Sequence, residues 1–119
     1  MNFARFLVAS CLAVAALNAH AHAFLERAEP RVGSQLQAAP VEVKLWFSEP
    51  LEAAFSSVTV TDANGRRVDR ADAHLDPSGK TLLRVSLQPI GPGAYTVHWR
   101  AVSVDTHVSR GDFVFRVGD

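Results

Sequence analysis

The sequence predicts an all-β domain, an immunoglobulin-like Greek-key β-sandwich or barrel of about seven strands. Three observations predict it. Apolar and polar residues alternate at period two in short runs. Pro, Gly, Asn and Asp break those runs at intervals of about 8–12 residues. No segment carries a sustained 3.6-residue amphipathic pattern; Leu51–Phe55 offers a single turn at most.

The elements follow in order. Val41-Glu42-Val43-Lys44-Leu45-Trp46-Phe47 alternates until its last residues, as a half-buried strand does. Ser57-Val58-Thr59-Val60-Thr61 repeats the pattern. Asp62-Ala63-Asn64-Gly65 then reads as a turn before Arg66-Arg67-Val68. Asp76-Pro77-Ser78-Gly79 is a second turn, leading into Thr81–Leu87. Gly91-Pro92-Gly93 opens the longest run, Ala94–Val104, and Gly111–Val117 closes the chain. Trp46, Trp99, Tyr95, Phe113 and Phe115 are the expected core aromatics.

The N-terminus reads differently. Arg5 gives a positive start, and Phe6–Leu17 is an apolar run too short for the about 20 residues of a spanning helix. Ala19-His20-Ala21 supplies a small-x-small cleavage pattern, so residues 1–21 are expected to be a secretory signal peptide and 22–119 the mature domain. An uncleaved helix, or cleavage after Ala19 or Ala23, is the alternative. Cleavage after Ala21 removes Arg5 and no acid, leaving one more acidic than basic side chain among about 98 residues. That balance gives no electrostatic footprint for nucleic acid, and no second apolar run could embed the chain in a membrane. A monomer is expected. The one cysteine, Cys11, goes with the signal, so neither a disulfide nor a thiolate metal site is expected.

Nucleophilic catalysis finds no foothold: there is no nucleophile elbow and no Gly-rich phosphate loop. The histidines carry what chemistry there is. Cleavage after Ala21 makes His22 the first residue, whose α-amine and imidazole Nδ1 can close a chelate ring on one metal. The amine's reference pKa of about 7.7–8.0 lets a metal displace its proton near neutrality. Asp105 and His107, spaced i, i+2, share a face on an extended segment. Together these groups form an N3O set, which in a near-planar array suits Cu(II). By itself Asp-x-His is a weak signal, since a turn-capping Asp beside an exposed His has the same spacing. His74, near a turn, and His98, between Val97 and Trp99 on a strand, are expected to be scattered surface residues.

Three stretches together sharpen this: His22-Ala23-Phe24-Leu25-Glu26-Arg27-Ala28-Glu29-Pro30, Leu45-Trp46-Phe47-Ser48-Glu49-Pro50, and Gly91–His107. In order and spacing they resemble the CopC family of periplasmic copper-resistance proteins over essentially the whole mature chain. The resemblance implies a seven-stranded Greek-key fold, a periplasmic location and one Cu(II) per mature chain. It implies His22, Asp105 and His107 as ligands, with Glu49 matching a carboxylate near the copper but not bound to it. It also implies a copper carrier or buffer rather than an enzyme, with an inner-membrane transporter of the CopD type as recipient. Two departures stand out. Many members carry Asp-Gly-His-Pro where this chain has Asp105-Thr106-His107-Val108, which predicts a local backbone change. Some carry a Met-rich Cu(I) loop, whereas the only methionine here is Met1.

Two other classes of function stay open on sequence. A copper-dependent oxidative enzyme would use the N-terminal His and a second His as a brace. A metal-free immunoglobulin-like interaction module would use none of these groups.

Overall fold

The computed structural model describes residues 23–118; the expected signal peptide and His22 lie outside them. The strands are β1 (Leu25–Glu29), β2 (Gln35–Leu36), β3 (Glu42–Phe47), β4 (Ser57–Thr61), β5 (His74–Leu75), β6 (Leu82–Ser86), β7 (Gly93–Val102) and β8 (Val108–Val117). They form two four-stranded sheets, in the orders β1-β3-β6-β5 and β2-β8-β7-β4. All pairings are antiparallel except β2 with β8.

Period two explains why the sheets face each other. Val43, Leu45 and Phe47 of β3 point inward, as do Leu83 and Val85 of β6. Opposite them lie Val58 and Val60 of β4, Tyr95, Val97 and Ala101 of β7, and Phe113, Phe115 and Val117 of β8. Register doubles the effect, because buried residues stand across from buried residues: Leu45 from Leu83, Tyr95 from Phe115, Val97 from Phe113. Each such side chain contributes roughly 1.5–3 kcal/mol relative to exposure. The Tyr95 hydroxyl donates to the Gly91 carbonyl at 2.7 Å, four residues back, the tyrosine corner of Greek-key sandwiches.

Several sequence expectations need adjusting. The described residues form eight strands, two of them only two residues long, against the expected seven or so. Arg66–Val68 is no strand; it touches β4 through a single bridge, Thr61 with Arg67. Trp46 is not in the core. It follows the outward phase of β3, half-buried under the Arg27 guanidinium, which stacks 4.5 Å above its ring. Trp99 does face inward but is only partly buried, edge-on to Phe47 at 5.2 Å. Its indole lies over its cross-strand partner Gly111, where a Cβ would stand 2.5 Å from the ring, so that position requires glycine.

One end of the sandwich matters most. There the β7–β8 hairpin turns at Ser103–His107. Phe24 and Ser48 exchange backbone and hydroxyl hydrogen bonds: Ser48 N–H donates to Phe24 O at 2.9 Å, and Phe24 N–H to Ser48 Oγ at 2.8 Å. Two residues on, Val104 N–H donates to Pro50 O at 3.1 Å, and Leu51, fully buried, bridges to Ser103. The start of β1, the Ser48–Leu51 crossing and the β7–β8 turn are thus stitched side by side.

Candidate metal centre

The turn after β7 is short and specific. Ser103 N–H donates to His107 O at 3.0 Å, and Thr106 N–H donates to Ser103 O at 2.8 Å. Thr106 has φ 73°, in the left-handed region. This is a three-residue hairpin loop ending in a left-handed residue, a place glycine fills without strain. A β-branched side chain there costs about 1–2 kcal/mol. Thr106 thus holds a conformation that glycine would adopt without strain.

Asp105 and His107 do come together, though not by strand alternation. They lie in the loop and at its exit, and the turn folds one toward the other: His107 Nδ1 stands 3.2 Å from Asp105 Oδ1. Both are about half exposed, at 45% and 51% of their side-chain surface. Two donors bound to one first-row ion at about 2.0–2.1 Å and at right angles stand roughly 2.9 Å apart. The observed spacing is close to that bite. The Ser103 hydroxyl donates to Asp105 Oδ1. That bond, with His107 second, holds the Asp105 carboxyl below the usual carboxylate range, so it is anionic at neutral pH.

Glu49 is brought to the same end, between Ser48, bonded to Phe24, and Pro50, bonded to Val104. Among the described residues no three His, Cys, Asp or Glu side chains gather tightly enough to hold a metal, so Glu49 does not join the pair as a third donor. The other ligand expected, His22, is outside the described residues, two positions before Phe24.

The remaining histidines sit elsewhere. His74 is on the edge strand β5, its Nδ1 2.8 Å from the Asp72 carbonyl. His98 is on the outer face of β7, as expected, with Nδ1 2.7 Å from Asp112 Oδ1 and Nε2 3.0 Å from Thr61 Oγ1. Both of its ring nitrogens are engaged within the sheet. Sequence reasoning missed Ser103, which is 1% exposed. A serine two residues before Asp105 was the available signal.

A family model described as the CopC domain matches residues 25–118. The chain belongs to the CopC family. Copper resistance protein C of Pseudomonas syringae pv. tomato is 37% identical over 117 residues, 93% of this chain and 91% of that protein. Protein YobA of Escherichia coli (strain K12) is 32% identical over 98% of this chain and 94% of its own. Copper transport protein CutJ of Bacillus subtilis (strain 168) is 33% identical over 82% of this chain, which spans only 18% of CutJ. Among solved structures, CopC from Methylosinus trichosporium OB3b superposes with a TM-score of 0.75 at 31% identity, covering 82% of this chain and 94% of that one. PcoC, a methionine-rich copper resistance protein from Escherichia coli, gives 0.73 at 32%, covering 82% and 99%. This CopC domain departs from PcoC in one respect visible in sequence: its only methionine is Met1.

Proposed function

We propose that this CopC-family chain is a periplasmic copper carrier that holds one Cu(II) between the mature N-terminus and the β7–β8 turn. The ligands are the α-amine and imidazole of His22, the carboxylate of Asp105 and the imidazole of His107. Copper is the cargo. The observation that carries the reading is the Asp105–His107 pair, set 3.2 Å apart beside the start of β1. The described chain begins at this end, with Phe24 pinned to Ser48, and His22 precedes Phe24 by two residues in sequence. Three nitrogens and one carboxylate favour Cu(II), and the mature chain has neither thiol nor thioether to retain Cu(I).

The setting favours a carrier over an enzyme. The pair sits half exposed on the β7–β8 turn, open to a recipient. A surface cleft lined by Pro40, Arg70 and Ile90 lies at the opposite end of the sandwich, away from the pair. Export by cleavage after Ala21 places the chain in the periplasm, and a membrane transporter of the CopD type is the recipient in this reading. Among the described residues no helix is long and apolar enough to cross a membrane.

Titration of the mature protein with Cu(II) against a competing chelator tests the site. Asp105→Ala and His107→Ala should each lower affinity at least about tenfold, while His74→Ala and His98→Ala leave it within a factor of about two. Equal losses from both pairs would remove the turn from the site.

A further inference from the structure

The domain contains the same turn twice. In Asp62–Arg66, Asp62 N–H donates to Arg66 O at 2.8 Å and Gly65 N–H to Asp62 O at 3.0 Å, with Gly65 at φ 79°. Ser103–His107 repeats both bonds and the left-handed fourth residue. The first residue differs. Asp62 spends its side chain on its own loop, accepting the N–H groups of Asn64 and Arg66 at 2.9 Å. Ser103 accepts the corresponding fifth-residue N–H, that of His107, at 3.3 Å, and its single O–H points outward to Asp105 Oδ1.

From this difference we infer that Ser103 is the positioning residue of the metal site, a buried hydroxyl that fixes the Asp105 carboxylate in the orientation needed to share an ion with His107. The inference deepens the proposed copper site and rests on it. A carboxylate at the first position, as in the other turn, would confront Asp105 with like charge, and an alanine would leave Asp105 held by His107 alone. Serine is small enough for a position 1% exposed, and it supplies one donor for the carboxylate while its oxygen still accepts from the loop. Hydrogen bonds from such outer partners orient metal ligands, and their loss typically costs about 10–100-fold in affinity.

A double-mutant cycle on the mature protein tests it, read by Cu(II) affinity and by the Cu(II) EPR spectrum. Ser103→Ala should bind Cu(II) about tenfold more weakly, with shifted EPR parameters. Its copper-free unfolding midpoint should stay close to the parent, because both backbone bonds of the turn remain. Ser103→Thr, which keeps the hydroxyl, should restore the parent spectrum; if its extra methyl group upsets the packing, the cycle still decides. In the Asp105→Ala background, Ser103→Ala should cause no further loss. An equal loss with and without Asp105, or an unchanged spectrum in Ser103→Ala, would overturn the positioning role. If Asp105→Ala itself leaves Cu(II) binding intact, the copper site fails first, and the inference with it.

Discussion

Two hairpins of this sandwich end in the same backbone turn and serve opposite ends. The first joins β4 to the Arg66–Ala71 segment. Its turn has glycine in the left-handed position, and just beyond it Asp69 is buried, its side chain fully shielded. Asp69 takes the Arg67 guanidinium at 2.9 Å and the N–H groups of Val60 and Ala71 at 2.9 and 3.0 Å. The second hairpin joins β7 to β8. Its turn has threonine in the left-handed position, and its carboxylate, Asp105, is half exposed. Both carboxyls lie below their ordinary range, by different routes. Burial pushes Asp69 up, and its hydrogen bonds to Arg67, Val60 and Ala71 outweigh that. A single hydroxyl and a neighbouring imidazole act on Asp105, with little burial to oppose them. One carboxylate is enclosed by the fold as a tie; the other is held ready and left open.

That contrast can be broken by exchanging roles. The largest effect on stability belongs to Asp69→Ala, which strands the buried Val60 N–H and takes the partner from Arg67 and Ala71, and should cost about 2–4 kcal/mol in urea unfolding. Its Cu(II) affinity, measured below the unfolding transition, should stay at the parent value. Asp105→Ala should do the reverse, with weakened copper and little change in unfolding.

Acid separates the same two groups. The α-amine must shed its proton to bind, so below its reference value of about 7.7 each pH unit costs roughly tenfold. Cu(II) affinity should therefore fall at least about a hundredfold from pH 7 to pH 5, whereas Asp105 stays ionised across that window and adds nothing to the fall. Asp69 acts lower. Because its folded pKa is depressed, its contribution is complete above the unfolded value of about 3.9 and disappears as pH falls through the folded one. Copper-free unfolding monitored from pH 7 to pH 2 should show this loss only below about pH 4, and Asp69→Asn should flatten it. A fold that weakens in step with copper release between pH 7 and 5 would mean the two regions are not separate.

Much of this division was legible beforehand. Alternation in Val41–Phe47 and Ser57–Thr61 located β3 and β4, and Asn64-Gly65 announced its turn. The limits have physical causes. Trp46 reads as core by size, but its phase on β3 puts it outside, where Arg27 covers it. The i, i+2 spacing of Asp105 and His107 pairs them on an extended segment, but the turn that joins them has no glycine to reveal it. Asp69 and Ser103 are polar residues at buried positions, which hydrophobic alternation does not register, although partners of both lie within a few residues of them in sequence. His22 was singled out by its expected place after the cleavage point, a property of processing rather than of folding.

The turns themselves give the smallest effects. Nothing stands within 4 Å of a Cβ at Gly65, so Gly65→Thr meets only backbone strain and should cost about 1–2 kcal/mol. Thr106→Gly relieves that strain but frees the unfolded chain, for a net gain of up to about 1 kcal/mol. Thermal unfolding of the two variants should move in opposite directions. Equal destabilisation by both would mean that Thr106 earns its place through contacts of its own.

In the proposed site, copper is held between the free N-terminus and the Asp105–His107 turn. The most direct measurement compares Cu(II) EPR spectra and affinities of two mature proteins, one beginning at His22 and one with a single glycine added before it. The added peptide bond turns the amine into an amide, which binds Cu(II) only after a costly deprotonation, while a surface terminus tolerates the addition. Equal copper-free stability, weaker Cu(II) binding and an altered spectrum in the extended form are the predicted result. Identical spectra and affinities would contradict the account and remove the N-terminal amine from the site.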